Sequence, residues 1–231
     1  MSAHNDVADI IDRLRALALE RRPDDVLLGD FIGQYFREIP DEDADGHRLD
    51  EAYLAALAHL HLGRVRRPGE TLVKVLSPDL EREGWRSERS ILLFVTDDVP
   101  FLVDTVRMVL DRHELGIHLL VHPMLHVRRD DGVLVEVADS GGVVEAWTLI
   151  ELDRCSPESR EALEADVCSA IEDVQGVVHD FAAMQQRLRE VAAGDDLLDW
   201  LAEENFVFLG AATYTRTESG LVLQPDSVLG E

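Results

Sequence analysis

The chain has 231 residues, 46% of them hydrophobic, enough to bury a real core in one domain plus additions or in two small domains. Forty-seven acidic residues against 22 basic ones give a net charge of −25, which repels nucleic acid and anionic membrane surfaces and reads as a solubility feature. Two cysteines, Cys155 and Cys168, form neither a disulfide framework nor a zinc spacing, so a reducing cytoplasm is expected. No apolar run approaches the ~20 residues of a membrane span. The start of the chain reads as an amphipathic helix, not a signal peptide.

Residues 5–21 place Val7, Ile10, Ile11, Leu14 and Leu17 on one helical stripe, broken at Pro23. A second helix is predicted from Val26 to Ile39, ended by Pro40, and an acidic loop over 41–46. A third helix follows from Leu49 to Leu62. Arg66-Arg67-Pro68-Gly69 marks a turn before the short strand TLVKVLSP.

The continuous apolar run Ser90–Thr96 predicts a buried strand. Asp97-Asp98-Val99-Pro100 ends it and opens a helix carrying Phe101, Leu102, Thr105, Val106, Val109 and Leu110 at helical spacing. Residues 117–128 form a strand in which Pro123 requires an edge or a bulge. Asp130-Asp131-Gly132 is a hairpin turn into VLVEVA, and Ser140-Gly141-Gly142 is another turn. The strand over 145–154 carries Trp147, Leu149 and Glu151 on one face and Thr148, Ile150 and Leu152 on the other. A helix over 157–175, a second over 178–192 and a short third (DLLDWLAEEN) follow. FVFLGAATYT then predicts a strand with a hairpin partner near 221–223, and the pattern at SVLGE reads as a domain still in progress, as in a truncated chain.

This order predicts an α+β fold: a βαββαβ antiparallel sheet with two helices on one face, preceded by a helical lead-in and followed by further helices. Patterning leaves the last strand of the sheet open. FVFLGAATYT or TLVKV could supply it.

The stretch SILLFVTDDVPFLVDTVRMVLDRHELGIHLLVHPMLHVRRD closely resembles the N-terminal region of the large bacterial NAD-dependent glutamate dehydrogenases. YFREIPDED, RRPGETLVKVLSP, EAWTLIELDR and LLDWLAEENFVFLGAATY match further marks of that family in the expected order. The resemblance implies an ACT-like (ferredoxin-like) module over 71–178, a helical segment over 1–70, and over 179–231 helices with the start of another β-containing module. It also implies a non-catalytic regulatory or assembly region. In the full-length enzyme a downstream domain binds NAD and oxidatively deaminates L-glutamate to 2-oxoglutarate and ammonia. ACT modules often bind amino acids and often join as side-by-side sheets between subunits, so the implied partners are the remaining domains, further copies and an amino-acid effector. A purely structural scaffold without a ligand is the alternative. Residues for hydride transfer are not evident: no GxGxxG opens a helix, Gly141-Gly142 lies between strands, and Lys74 is the sole lysine. No catalytic, cofactor-binding or metal residue is therefore assigned.

The candidate effector-binding or interface site is the turn Asp97, Asp98, Val99, Pro100, Phe101 and Leu102. Helix N-terminal N–H groups attract a carboxylate and a preceding acid pairs with an ammonium, the two ends of an amino acid. Ligand-binding ACT modules commonly carry glycine where Phe101 stands, and glycine admits a ligand close to backbone. The other reading is a capped helix start with the ring packed inward or against a neighbour.

Remaining polar groups read as structural. His118, His122 and His126 share one strand face, but the outer two lie ~26 Å apart at ~3.3 Å per residue, too far for one metal. His59 and His61 point different ways. Glu151 and Asp153 share a strand face and are expected as surface acids on an edge. Cys155 has no histidine partner in the pattern.

Overall fold

The computed structural model describes residues 4–37, 49–81, 84–192 and 194–230. The end of the second predicted helix and the acidic loop over 41–46 lie outside them. The described residues fall into two compact units, one within Met1–Asp98 and Arg107–Cys168, the other within Val99–Val106 and Ser169–Glu231. Among the described residues no helix is long and apolar enough to cross a membrane.

The first unit begins with three helices, α1 (His4–Arg21), α2 (Val26–Tyr35) and α3 (Leu49–Leu62). Asp25 caps α2, its carboxylate accepting from the Leu28 amide at 3.2 Å. A six-stranded antiparallel sheet follows: β1 (Leu72–Leu76), β2 (Ser90–Asp97), β3 (Ile117–Val121), β4 (Met124–Asp130), β5 (Val133–Ala138) and β6 (Val143–Leu152). Its order is β1-β2-β6-β4-β5, with β3 paired beside β4 on β6. The predicted 117–128 strand is thus interrupted at His122-Pro123. The Pro123 carbonyl accepts the Trp147 amide at 3.1 Å, so the chain keeps contact with β6 across the break. Asp131 and Gly132, both at positive φ (48° and 81°), make the tight β4–β5 hairpin.

The place beside β2 is filled by β1, from before it in the chain. FVFLGAATYT does not join this sheet. Of the two candidates that patterning left open, TLVKV is the one the sheet uses, and the chain order therefore departs from βαββαβ at its last strand.

Alternation sorts the strands cleanly. Ile91, Leu93, Val95, Leu125, Val127, Trp147 and Leu149 pack with Leu14, Leu28, Phe31, Ile32, Tyr53 and Leu60 of the three helices in one core. Leu92, Phe94, Thr148, Ile150 and Leu152 point to the other face and are equally buried. That face goes with the buried stripes of α4 (Leu102–Arg112) and α5 (Pro157–Ala192), represented in this unit by Val109, Leu110, Leu163 and Val167.

Trp147 is the centre of the first core. Phe31 and His59 approach it at ring distances of 5.1 Å each. His59 is fully buried; its Nε2–H donates to the Phe94 carbonyl at 3.1 Å, which leaves Nδ1 to accept from the Tyr35 hydroxyl at 2.6 Å. Burial pushes the His59 pKa down to about 3 and raises that of Tyr35, so both are neutral. His61, on the opposite side of α3, is exposed.

Two predicted helices over 157–175 and 178–192 are a single 36-residue helix, α5. Gly176 costs only about 1 kcal/mol against alanine in a helix interior, too little to break it. The second unit contains the later part of α5, then α6 (Asp196–Trp200), which continues as a π-helical turn over Leu201–Asn205. Four short strands follow: β7 (Gly210–Ala211), β8 (Tyr214–Thr217), β9 (Gly220–Leu223) and β10 (Leu229–Gly230). They form two separate two-stranded sheets, β7 with β10 and β8 with β9. Asp180 of α5 accepts the Gly230 amide at 2.8 Å, and Phe181 lies 6.1 Å from Phe208.

A Cβ on Gly63 would stand 2.1 Å from the Trp147 ring, whereas one on Gly29, inside α2, meets nothing within 4 Å. Gly63→Ala is expected to lower stability by about 1–3 kcal/mol and Gly29→Ala to raise it by about 0.5–1 kcal/mol, both read by denaturant melts.

The unfolded chain protonates His59 near its ordinary 6.5 while the folded chain does so only near 3. The unfolded state thus binds the extra proton between these values, and stability falls as pH drops from 6.5 towards 3, by up to about 1.4 kcal/mol per pH unit. His59→Gln keeps a donor and an acceptor without the titration. Its stability should fall less steeply over that window, checked by denaturant midpoints in a pH series.

Candidate functional site

β2 ends at Asp97, directly opposite Glu145 near the start of β6. Both carboxylates are held by Arg66, which is 2% exposed. Its Nη2 donates to Asp97 Oδ1 at 2.6 Å, its Nη1 to Glu145 Oε1 at 2.9 Å, and its Nε to the Glu70 carbonyl at 2.6 Å. Arg129 of β4 grips Glu145 from the other side with a two-pronged contact, Nε to Oε1 and Nη2 to Oε2, each 2.8 Å. It also donates to the carbonyls of Gly132 and Gly63, both at 3.0 Å. Trp147 Nε1 completes the set on Glu145 Oε2 at 3.1 Å.

Two guanidiniums and two carboxylates make this cluster electrically balanced. Burial alone would raise the Glu145 pKa; the bonds and charges of Arg129 and Arg66 overcome that and hold it below its ordinary value. The sequence reading did not single out Arg66, Arg129 or Glu145. The available signal was a lone carboxylate inside the apolar run VVEAWTLI, which cannot be buried charged without cationic partners.

The candidate turn begins at this cluster. Asp97 is committed to Arg66, with its side chain 44% exposed. Asp98 and Pro100 are exposed, Val99 is half-buried, and Leu102 is buried at the first position of α4. Phe101 has φ +66°, a left-handed conformation that glycine adopts freely and a bulky residue adopts at a cost. Its carbonyl accepts the Thr105 amide at 2.9 Å, and the residue is 57% exposed. The ring is therefore not a core plug.

The three strand histidines each have their own partner. His118 bonds Asp153 at 2.7 Å, His122 bonds Thr148 at 2.5 Å, and His126 bonds the Gly141 carbonyl at 3.0 Å. Asp153 also accepts the Gly116 amide at 2.9 Å, and with His118 this lowers its pKa. Glu151 is not an edge acid: β6 is an interior strand, Glu151 is 8% exposed, and Arg89 pairs with it at 3.2 Å. Cys155 is buried, its amide donating to Ser90 Oγ at 2.8 Å. Among the described residues no three His, Cys, Asp or Glu side chains are grouped to hold a metal ion. A cleft of about 520 Å³ opens elsewhere, lined by Glu51, Arg86, Ser87, Glu88 and Arg89, and includes none of the turn residues.

Removing one partner of a buried ion cluster leaves an uncompensated charge. Arg129→Ala is expected to cost about 3–5 kcal/mol, and pairing it with Glu145→Gln to recover part of that loss, measured as a double-mutant cycle of unfolding free energies.

Residues 31–167 match the family described as the ACT1 domain of glutamate dehydrogenase, more than half the chain. The chain is also 32% identical to the NAD-specific glutamate dehydrogenase of Halomonas elongata and 30% identical to that of Pseudomonas aeruginosa, over 80% and 78% of its own length. It spans only 13% and 12% of the lengths of those relatives. A sheet with helices on both faces, built from the motif run that resembles these enzymes and matched by the family over its length, places the chain in the glutamate dehydrogenase ACT1 domain family.

Proposed function

We propose that this chain is the N-terminal, non-catalytic, ACT-like region of a cytoplasmic NAD-dependent glutamate dehydrogenase, and that it serves assembly of that enzyme more than amino-acid sensing. The whole enzyme, on this reading, oxidatively deaminates L-glutamate to 2-oxoglutarate and ammonia with NAD bound outside this region. Its partners are the other domains of the same polypeptide and further copies in a homo-oligomer. The names of the long relatives support the activity.

The observation that carries the assembly reading is the state of the turn. An effector's ammonium needs a free acid, and with Asp97 already neutralising Arg66 the turn has Asp98 alone to offer. An effector's carboxylate needs open backbone at the helix start, and Phe101 carries a ring there instead of a hydrogen. A half-exposed aromatic on a strained backbone suits contact with another protein surface. The segment 197–223 adds Leu197, Trp200, Phe206, Leu209, Tyr214 and Leu221, each at least half exposed. A two-stranded sheet such as β8–β9, all of whose residues are exposed, is marginal alone and suits a role as contact surface.

Calorimetric titration with a panel of amino acids separates the two roles. The unmodified chain is expected to give no binding at millimolar ligand. Saturable binding that Asp98→Asn abolishes would establish sensing at the turn and overturn the assembly reading. Phe101→Gly tests whether the ring is what closes the turn.

A further inference from the structure

An antiparallel sheet has two edges, and each edge strand turns alternate N–H and C=O groups outward, a template for another strand. Here β1 and β5 end the run of paired strands, while β3 pairs with β6 alone and leaves a further edge. The edge at β5 is covered at its start by the chain's own backbone: the Leu134 amide donates to the Arg64 carbonyl at 2.9 Å, the Arg66 amide to the Gly132 carbonyl at 3.0 Å, and Val65 bridges Val133.

At β1 a side chain takes that part. Glu164 of α5 reaches the edge, and its Oε1 accepts the Val75 amide at 2.7 Å. The same oxygen lies 2.9 Å from Nζ of Lys74, the sole lysine of the chain. A carboxylate accepting from a backbone amide mimics the carbonyl of a neighbouring strand. Val75 is 1% exposed although it sits on an edge strand, and Glu164 is itself only 23% exposed.

We infer that Glu164 is a built-in stop that occupies the β1 edge and prevents a second copy of this chain from extending the sheet through it. The pairing it blocks is antiparallel, β1 against β1 about a two-fold axis, which would bring the outward amides of Val73 and Val75 to a partner strand. Such pairing needs release of Glu164 from the Val75 amide, and β1 remains laddered to β2 in either case. This inference concerns the sheet edge alone and holds whether or not the turn at Phe101 takes an effector.

Five variants of the 231-residue chain test it, with amide hydrogen exchange at Val75 and molar mass by light scattering across a concentration series. Glu164→Gln keeps an acceptor oxygen and is expected to match the unmodified chain in both. Glu164→Ala is expected to speed Val75 exchange at low concentration by about tenfold, and to gain mass towards a dimer as concentration rises. Adding Val73→Pro, which removes an outward N–H and leaves the ladder to β2 intact, should abolish that gain. Glu164→Asp, which keeps the charge and the helix but draws the carboxylate back, should behave like Glu164→Ala and serves if the alanine variant does not fold. Unchanged Val75 protection in both shortened variants, or a mass that follows the unmodified chain at every concentration, overturns the inference. So does a dimer of the unmodified chain that Val73→Pro dissociates.

Discussion

A carboxylate buried at the start of a central strand sets the terms for the first unit. Glu145 sits among apolar neighbours, and a charge there is tolerable only if cations and donors surround it on every side. Arg66 reaches it from the turn after α3, Arg129 from β4 and Trp147 from its own strand. The same two arginines bind the carbonyls of Gly63, Glu70 and Gly132, so the turn that leads into β1 and the β4–β5 hairpin are tied to one point. The helical lead-in and the sheet are joined by polar bonds as well as by the core around Trp147. Gly63 shows how tight the join is, since the backbone there backs onto the indole ring without room for a methyl group.

Much of this was legible in the sequence because it follows from period. The face assignment in β6, with Trp147 and Leu149 towards one core and Thr148, Ile150 and Leu152 towards the other, is dictated by alternation. The break at Pro123 follows from its missing N–H. What period cannot encode is which distant segment lies alongside. TLVKV and FVFLGAATYT are both short apolar strands, and the choice between them depends on β2's open side, which only the assembled sheet defines. The single helix α5 runs through Gly176 because one glycine is a weak helix breaker.

The turn at 97–102 shows the same division between chemistry and placement. Residue types there suit an amino acid, and that much is readable. The pairing of Asp97 with Arg66 is not, because 31 residues separate them and the arginine looks like part of an ordinary turn. Nor does sequence reveal that Phe101 takes a left-handed backbone with its ring outward. A phenylalanine after proline at a helix start would more cheaply have turned inward. Its observed state leaves the ring exposed, and the pairing with Arg66 holds Asp97 at the end of β2.

The position of β1 bears on how the chain is made. All six strands of the main sheet lie within residues 72–152, and the three helices that cover one face precede them. In a fold whose last strand came after α5, the sheet would stay one strand short until that segment had left the ribosome. Here β1 and β2 are near neighbours in the chain and can pair early, and β6 then closes the sheet between β2 and β4. A nascent chain can therefore pair both edges of β2, the continuous apolar run, by the time residue 152 is made, which leaves only the Leu92 and Phe94 face to be covered later.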